Sequence, residues 1–222
     1  MDQRLQKSID SLLARDDVWM TRERVEGYLA SGEWQTKSFV DYIEKHAADA
    51  PDSPAIIDQD GTVTTYGEFN EKANRVALGL LELGVSPGER IAIQLPNRSE
   101  FLITLMGAAK ASILPVLCHL PYTNKDLDYI MELTDAKALV IPDKVKSRDY
   151  VQMALELKAS HDCLNHIIVM SEQSHEGTVR LADLLYERAD SAEKLEATRP
   201  VGTDPFFLMF TSGTTGKPKA EL

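Results

Sequence analysis

The sequence predicts an α/β fold, a largely parallel sheet with helices on both faces, preceded by helices. From about residue 55 onward, short apolar runs alternate with stretches whose apolar residues recur at helical spacing. Several of these runs are apolar throughout, which is typical of parallel strands buried on both faces. Residues 1–50 carry helical patterns only, and we expect them to form a helical segment that packs on the domain.

Three helices are predicted in this leading segment. Their apolar positions are Leu5, Ile9, Leu12 and Leu13 in the first, Val18, Val25, Tyr28 and Leu29 in the second, and Phe39, Ile43 and Ala47 in the third. The third helix ends at Ala50-Pro51, because the residue before a proline disfavours helical backbone. Trp19 and Trp34 are expected to anchor packing rather than to stack on a ligand.

A hairpin and a long helix follow. Residues 55–57 and 62–64 are short strand candidates, and Asp60-Gly61 between them is a hairpin turn signal. Thr65, with Glu68 three residues later, predicts a capping box. An apolar stripe extends the helix to Leu81, and Gly84 supplies its stop.

The alternation continues to the end of the chain. Strands are predicted at 90–95, 113–117, 138–141, 166–170 and 206–210, and helices at 101–109 (capped by Asn97 or Ser99), from Asn124, at 150–157 and at 181–186. Residues 191–201 are predicted to be a charged connector. We find no internal repeat and no low-complexity tract.

Composition narrows the class of partner. The chain has 222 residues, 43% of them hydrophobic, and a net charge of -11, which argues against nucleic acid and anionic membranes because both select basic surfaces. The two cysteines make no disulfide framework, which favours a reducing compartment. No signal peptide and no run of the ~20 apolar residues that a membrane span needs is present, so we expect a cytoplasmic protein.

The stretch after the last strand has a composition that no core explains. Residues 211–219, Thr-Ser-Gly-Thr-Thr-Gly-Lys-Pro-Lys, offer four hydroxyls, two glycines and two lysines. Glycines let the backbone approach a ligand closely, hydroxyls donate hydrogen bonds to anionic oxygens, and lysines add positive charge. The stretch therefore predicts a polyphosphate-binding loop. A flexible linker is the alternative, but linkers seldom follow a buried strand so closely.

The loop does not fit the P-loop of nucleoside triphosphatases. That motif has four residues between its glycines and a Ser or Thr directly after its lysine. Here Thr214 and Thr215 alone separate Gly213 from Gly216, and Pro218 follows Lys217. A nucleoside triphosphatase is therefore disfavoured.

The nine residues instead resemble the phosphate-binding signature of the adenylate-forming enzymes, which include acyl- and aryl-CoA synthetases. Further stretches resemble the same family in the same order, namely 64–69, 84–92, 95–101 and 107–116. Three residues depart from its pattern, with Ala111 where glycine is usual, Ser112 where alanine is usual, and Ala220 where glycine commonly follows the second lysine. On this resemblance, residues 51–222 are the first part of the AMP-binding N-terminal domain, incomplete at Leu222.

Within the family, residues 94–97 and 117–121 look most like the stand-alone aryl-acid activating enzymes, such as 2,3-dihydroxybenzoate–AMP ligases. A fatty-acyl-CoA ligase is the alternative. The resemblance implies that a carboxylic acid attacks the α-phosphate of ATP, releases pyrophosphate and is then transferred to a thiol. The implied cofactors are ATP, Mg²⁺, and coenzyme A or a carrier-protein phosphopantetheine as acceptor. A homodimer is one of the oligomeric states that the sequence allows.

The resemblance also assigns roles to residues of the loop. Thr211, Ser212, Thr214 and Thr215 would hydrogen-bond phosphate oxygens, Gly213 and Gly216 would let the backbone approach, and Lys217 and Lys219 would add charge. The family's catalytic lysine and its magnesium-binding glutamate are expected beyond Leu222, so no catalytic residue and no metal ligand is assigned here. We expect an N-terminal fragment that is inactive alone. A truncated, non-catalytic nucleotide-binding or interaction module is the alternative.

Other candidate residues have simpler explanations. His119 could face a substrate, although a packed or surface turn histidine is the simpler interpretation. Cys118 has apolar neighbours and is expected in the core rather than as a nucleophile. His161, Cys163 and His166 lack zinc-site spacing and a fourth ligand. Asp126 and Asp128 lie in the first turn of a helix, where they complement its dipole.

Overall fold

The computed structural model describes residues 2–15, 20–188, 191–211 and 219–221. The helices are α1 (Gln3–Leu13), α2 (Arg22–Ser31), α3 (Phe39–Asp49), α4 (Tyr66–Glu82), α5 (Ser99–Lys110), α6 (Asn124–Thr134), α7 (Tyr150–Ser160), α8 (Leu181–Leu184) and α9 (Ser191–Ala197). The strands are β1 (Pro54–Ile57), β2 (Val63–Thr65), β3 (Arg90–Ile93), β4 (Leu114–Leu117), β5 (Ala138–Pro142), β6 (Lys144–Val145), β7 (Arg148–Asp149), β8 (His166–Met170), β9 (Val179–Arg180), β10 (Leu208–Thr211) and β11 (Lys219–Glu221).

Within these residues the main sheet has seven strands, in the order β11-β10-β4-β3-β5-β8-β9. Six of them run parallel, from β10 to β9, and β11 pairs antiparallel with β10 at the edge. The strands near the centre are apolar on both faces, because helices cover both. The predicted α/β class with a largely parallel sheet is confirmed.

Each face of the sheet has its own hydrophobic core. One core joins α4, α5 and α8 to side chains such as Ile91, Ile93 and Val140, and the other joins α6 and α7 to side chains such as Ala92, Leu139 and Ile141. Helices α4 and α5 approach closely at Gly107, where an added Cβ would lie 2.6 Å from Val76 Cγ1. A larger residue at Gly107 would therefore push the two helices apart.

The local turn and capping predictions near residue 60 are confirmed. Strands β1 and β2 pair antiparallel around the Asp60-Gly61 turn, and Gly61 has a positive φ of 87°. Thr65 and Glu68 form the capping box of α4, and Gly84 after that helix has φ 85°. These signals act over a few residues, which is why the local sequence contains them.

The prediction that Asn97 or Ser99 caps α5 is wrong. The N-cap residue is Arg98, and the backbone N–H of Ser99 donates to Asp58 Oδ1 at 2.9 Å. The capping oxygen thus comes from the β1–β2 hairpin, 41 residues earlier in the chain. Short elements were also missed. Strands β6, β7 and β9 have two residues each, and α9 lies in the stretch 191–201 that was predicted without secondary structure.

The final predicted strand is shorter than expected and only partly buried. Strand β10 begins at Leu208 rather than at residue 206. Phe210 is 2% exposed, but Met209 is 38% exposed because its side of the strand is not covered by the described residues.

The leading helices pack as a separate small core. Leu5, Ile9 and Val25 are buried together, with Trp34 and Val201 against them. Trp34 stacks on Tyr28 at 5.5 Å between ring centroids, so its predicted packing role is confirmed, whereas Val18 and Trp19 lie outside the described residues. None of the helices in the described ranges is both long and apolar enough to cross a membrane.

Candidate functional site

The crevice of this sheet lies at the carboxyl ends of β3 and β4. These two strands are neighbours, yet α5, which follows β3, packs on one face and α6, which follows β4, packs on the other. In open α/β sheets the loops separate at such a point, and ligands bind in the gap outside the strand ends. The residues that follow the two strands, Gln94 and the 119–122 turn, therefore form the floor of a candidate site.

Gln94 is completely buried and holds the turn through its side chain. Its Nε2 lies 3.1 Å from the carbonyl oxygen of His119, 3.0 Å from that of Tyr122 and 3.3 Å from that of Leu120. Carbonyls only accept hydrogen bonds, so the amide must present its NH₂ group to them. Its Oε1 is buried and has no hydrogen-bond partner among the described residues.

Two further side chains fix the same turn. The guanidinium of Arg148 donates to the carbonyl oxygens of Pro121 at 3.2 Å and of Tyr122, and its carbon lies 4.7 Å from the ring centroid of Tyr150. The Tyr150 hydroxyl donates to the carbonyl of Leu120 at 3.0 Å. Side chains from the end of β3, from β7 and from α7 thus converge on one turn. The sequence carries no local signal for Arg148 or Tyr150, because their acceptors lie 26 to 30 residues away.

The fixed turn presents His119 at the surface. The imidazole is exposed and meets the Tyr122 ring edge-on, with centroids 5.2 Å apart. Burial raises the pKa of Tyr122, with smaller contributions from Cys118 and Asp126. The neighbouring Cys118 is buried, as predicted, and burial raises its thiol pKa to about 12. Such a thiol stays protonated at neutral pH and is a poor nucleophile.

The strand that leads into the predicted phosphate loop lies beside the strand that leads into this turn. Strand β10 runs parallel to β4, with Leu208 opposite Val116 and Met209 opposite Leu117. Thr211, the last residue of β10, is paired with Lys219 across the β10–β11 hairpin. The residues between them, Ser212, Gly213, Thr214, Thr215, Gly216, Lys217 and Pro218, lie outside the described part of the chain.

The remaining candidates lie away from the crevice or are paired. His166 begins β8, at the amino edge of the sheet, and His161 Nε2 lies 2.8 Å from Asp128 Oδ1. The prediction that Asp128 lies in the first turn of the helix is wrong, because α6 begins at Asn124 and Asp126 is the acidic residue of its first turn, so the partner of Asp128 is His161. Asp126 accepts from Thr123 in a capping box that lowers its pKa. In the described ranges, no group of three His, Cys, Asp or Glu residues could hold a metal ion.

Comparison with known proteins agrees with this geometry. The chain is 30% identical over 201 residues to the salicyl-AMP ligase / salicyl-S-ArCP synthetase of Mycobacterium tuberculosis, covering 89% of this chain and 35% of that protein. It is 30% identical over 197 residues to the 2,3-dihydroxybenzoate-AMP ligase of Bacillus subtilis, again covering 89% and 35%. The chain thus spans about a third of the length of the curated relatives it matches.

A solved structure shares the fold. The apo structure of Mycobacterium smegmatis MbtA superposes with a TM-score of 0.77 at 31% identity, covering 95% of this chain and 38% of that one. The family model for AMP-binding enzymes matches residues 43–220. Because this match takes in most of the chain, the protein belongs to the AMP-binding enzyme family.

Proposed function

We propose that the whole protein is an ATP-dependent ligase that joins a carboxylic acid to AMP and then to a thiol. The observation that carries this proposal is the hydroxyl-, glycine- and lysine-rich loop that leaves β10 beside the crevice of the sheet. The similar proteins are named as salicyl-AMP, 2,3-dihydroxybenzoate-AMP and medium-chain acyl-CoA ligases, which supports the same reaction class.

The first step demands control of charge. A carboxylate must approach the α-phosphate of ATP, form a bond to that phosphorus and displace pyrophosphate, so donors must offset the charge on the leaving group. The hydroxyls of Thr211, Ser212, Thr214 and Thr215 would donate to phosphate oxygens. The backbone at Gly213 and Gly216 would approach them closely, and Lys217 and Lys219 would add positive charge.

The loop fits a phosphate better than it fits a metal ion. Residues 211–219 contain no carboxylate, the ligand that Mg²⁺ prefers. Bound Mg²⁺ would neutralise phosphate charge during the step. Phosphate oxygens and residues elsewhere in the protein would hold the ion, while the loop's own donors bind the phosphates.

The acid would lie on the other side of the crevice, where we place His119. Its exposed imidazole stands on a turn that three side chains hold in place, which suits a wall that contacts a small ligand. We favour an aryl acid, because two of the most similar relatives act on such acids by name, with a fatty acid as the alternative. The thiol acceptor would be coenzyme A or a carrier-protein phosphopantetheine.

The proposal also covers the domain organisation and the cellular compartment of the whole protein. Residues 51–222 would form the first part of the AMP-binding domain, with residues 1–50 as a helical segment packed on it. The two cysteines, Cys118 and Cys163, are free, which suits a reducing compartment such as the cytoplasm.

Carboxylate-dependent exchange between ATP and pyrophosphate tests the proposal. The whole protein would be assayed with a panel of aryl and fatty acids, with an acid-free reaction as the control. We expect exchange that depends on one class of acid. ATP binding without exchange for any acid would favour the non-catalytic nucleotide-binding module instead.

A further inference from the structure

We propose that the leading helices α1 to α3 position strand β10 for ATP binding, by holding the connector of residues 199–206 that enters this strand. The inference rests on the proposed function for its effect on ATP. The structural part of the inference, that these helices hold β10, depends only on contacts between described residues and not on the proposed function. Four separate contacts support it, and they lie within nine residues before the strand.

The first contact is a buried hydrogen bond. The hydroxyls of Ser8 in α1 and Thr203 in the connector are 2.7 Å apart, and the two residues are 7% and 8% exposed. Val201 packs beside them on the small core of α1 and α2. A hydroxyl pair shielded from water is costly to break, because neither group then has water to replace its partner.

The second contact brings two backbones together. The N–H of Gly202 donates to the carbonyl of Thr36 at 2.8 Å. A Cβ on Gly202 would lie 2.2 Å from the carbonyl oxygen of Gln35, which is a backbone atom and cannot move aside alone. Only glycine fits this approach, so the connector and the residues before α3 are matched to each other.

The third and fourth contacts come from α3. The ring of Phe39 stacks on that of Phe206, with centroids 4.6 Å apart and planes 15° from parallel. Arg199 lies 2.6 Å from both Asp41 Oδ1 and Glu44 Oε2. The connector is therefore held at its start by charge and at its end by a stacked ring.

These contacts matter because they hold the entry to β10, whereas the strand itself is held on one side only, where Phe210 is buried in the core of α6 and α7. Apart from its hairpin partner, it pairs in the sheet with β4, and its Met209 is 38% exposed. Ser8, Gln35, Thr36, Phe39 and Asp41 also lie before residue 43, where the family match begins. This part of the support for β10 thus comes from residues that the family match does not include.

Thr203 is the positioning residue to test. In the whole protein, Thr203→Val removes the hydroxyl and keeps the shape, and Thr203→Ser restores the hydroxyl. Thr134→Val is the matched control, because Thr134 is 4% exposed and its hydroxyl donates to Ile130 within α6, at the amino edge of the sheet. Two readouts are compared, the KM for ATP in pyrophosphate exchange and the amide hydrogen exchange of residues 206–211.

We expect Thr203→Val to raise the KM for ATP by roughly 3- to 10-fold, the scale of one buried hydrogen bond, with kcat within about twofold. Amide hydrogen exchange in residues 206–211 should become faster, and Thr203→Ser should restore both values. Thr134→Val should change neither.

Two outcomes would contradict the inference. An unchanged KM alongside faster hydrogen exchange would overturn the link to ATP, and unchanged hydrogen exchange would overturn the inference altogether. If the unaltered protein shows no pyrophosphate exchange, the proposed function fails, while hydrogen exchange still decides whether α1 to α3 hold β10.

Discussion

Two polar regions of this molecule differ in what their side chains bind: in one they pair with each other, and in the other they bind backbone carbonyls. A charged cluster of Asp41, Glu44, Lys110 and Arg199 joins α3, α5 and the connector, and each charge in it has an opposite partner within 2.6 Å. At the crevice, Gln94, Arg148 and Tyr150 satisfy the backbone carbonyls of the 119–122 turn and leave the His119 side chain exposed. In the cluster, the charged side chains pair with one another and stabilise the fold. At the crevice, the side chains hold the backbone of the 119–122 turn, and the imidazole of His119 stays accessible.

The electrostatics of the cluster fit a structural role. Burial lowers the pKa of Lys110, which is 2% exposed and lies 2.5 Å from Glu44. Burial alone would raise the pKa of Glu44, but hydrogen bonds from Lys110 and Arg199 outweigh it and hold that pKa below its ordinary value. The same balance, with Arg199 and Ser38 as donors, lowers the pKa of Asp41. The shifts of Asp41 and Glu44 favour their charged forms, as does the raised pKa of Arg199, and Lys110 is paired with Glu44.

Removing one charge from the cluster should have the largest effect on stability. Glu44→Gln would leave Lys110 buried without its carboxylate, and we expect a loss of about 3–5 kcal/mol in the free energy of unfolding. Urea unfolding of the whole protein measures this. Glu132→Gln, on the exposed face of α6, is the matched control and should change the value by less than about 0.5 kcal/mol. Equal losses of stability in Glu44→Gln and Glu132→Gln would show that the cluster stabilises the fold no more than an exposed surface carboxylate does.

Acid should weaken the same region. Because the pKa values of Glu44 and Asp41 are lower in the folded chain than their ordinary 4.5 and 3.8, the unfolded chain takes up protons first as the pH falls. The stability that these carboxylates contribute is present above about pH 4.5 and is lost below it. Urea unfolding between pH 6 and pH 3 should show this loss, and it should be smaller in Glu44→Gln. An identical pH slope in that variant would contradict the assignment to Glu44.

Loss of the crevice's buried amide should have an intermediate effect. Gln94→Leu leaves the carbonyls of the 119–122 turn without their Nε2 donor, and we expect a loss of about 1–3 kcal/mol in stability. We also expect a higher KM for the acid, because the turn that carries His119 loosens. Gln152→Leu, on the exposed face of α7, is the matched control. A stable variant with an unchanged KM would show that the turn does not need Gln94.

His119 itself should matter least for stability. Its side chain is exposed, so His119→Ala should change the free energy of unfolding by less than about 0.5 kcal/mol. Pyrophosphate exchange should nevertheless show a raised KM for the acid and an unchanged KM for ATP. If both KM values match those of the unaltered protein, His119 does not line the acid site.

Local chemistry explains how much of the fold could be predicted. The Asp60-Gly61 turn and the Thr65–Glu68 capping box act within four residues, so the sequence around them contains the whole signal. The cap of α5 was mispredicted because its acceptor, Asp58, comes from another element. Strand β9 was missed because two residues become a strand only by pairing with β8.

The candidate site shows the same division. The composition of residues 211–219 and the apolar run before them predict a phosphate loop, since both are local features. The role of Gln94 as a brace, and those of Arg148 and Tyr150, depend on acceptors 25 to 30 residues away. Sequence patterns therefore predicted the groups that we propose meet the ligand, and the structure was needed to find which side chains hold the 119–122 turn in place.

The central claim is that the loop at the crevice handles the phosphates of ATP. The most direct test is the rate of carboxylate-dependent pyrophosphate exchange in the whole protein carrying both Thr214→Ala and Thr215→Ala. Loss of these charge-assisted hydrogen bonds should weaken ATP use by about 1–3 kcal/mol, seen as a lower kcat/KM for ATP with the fold intact. Exchange kinetics identical to those of the unaltered protein would contradict the claim.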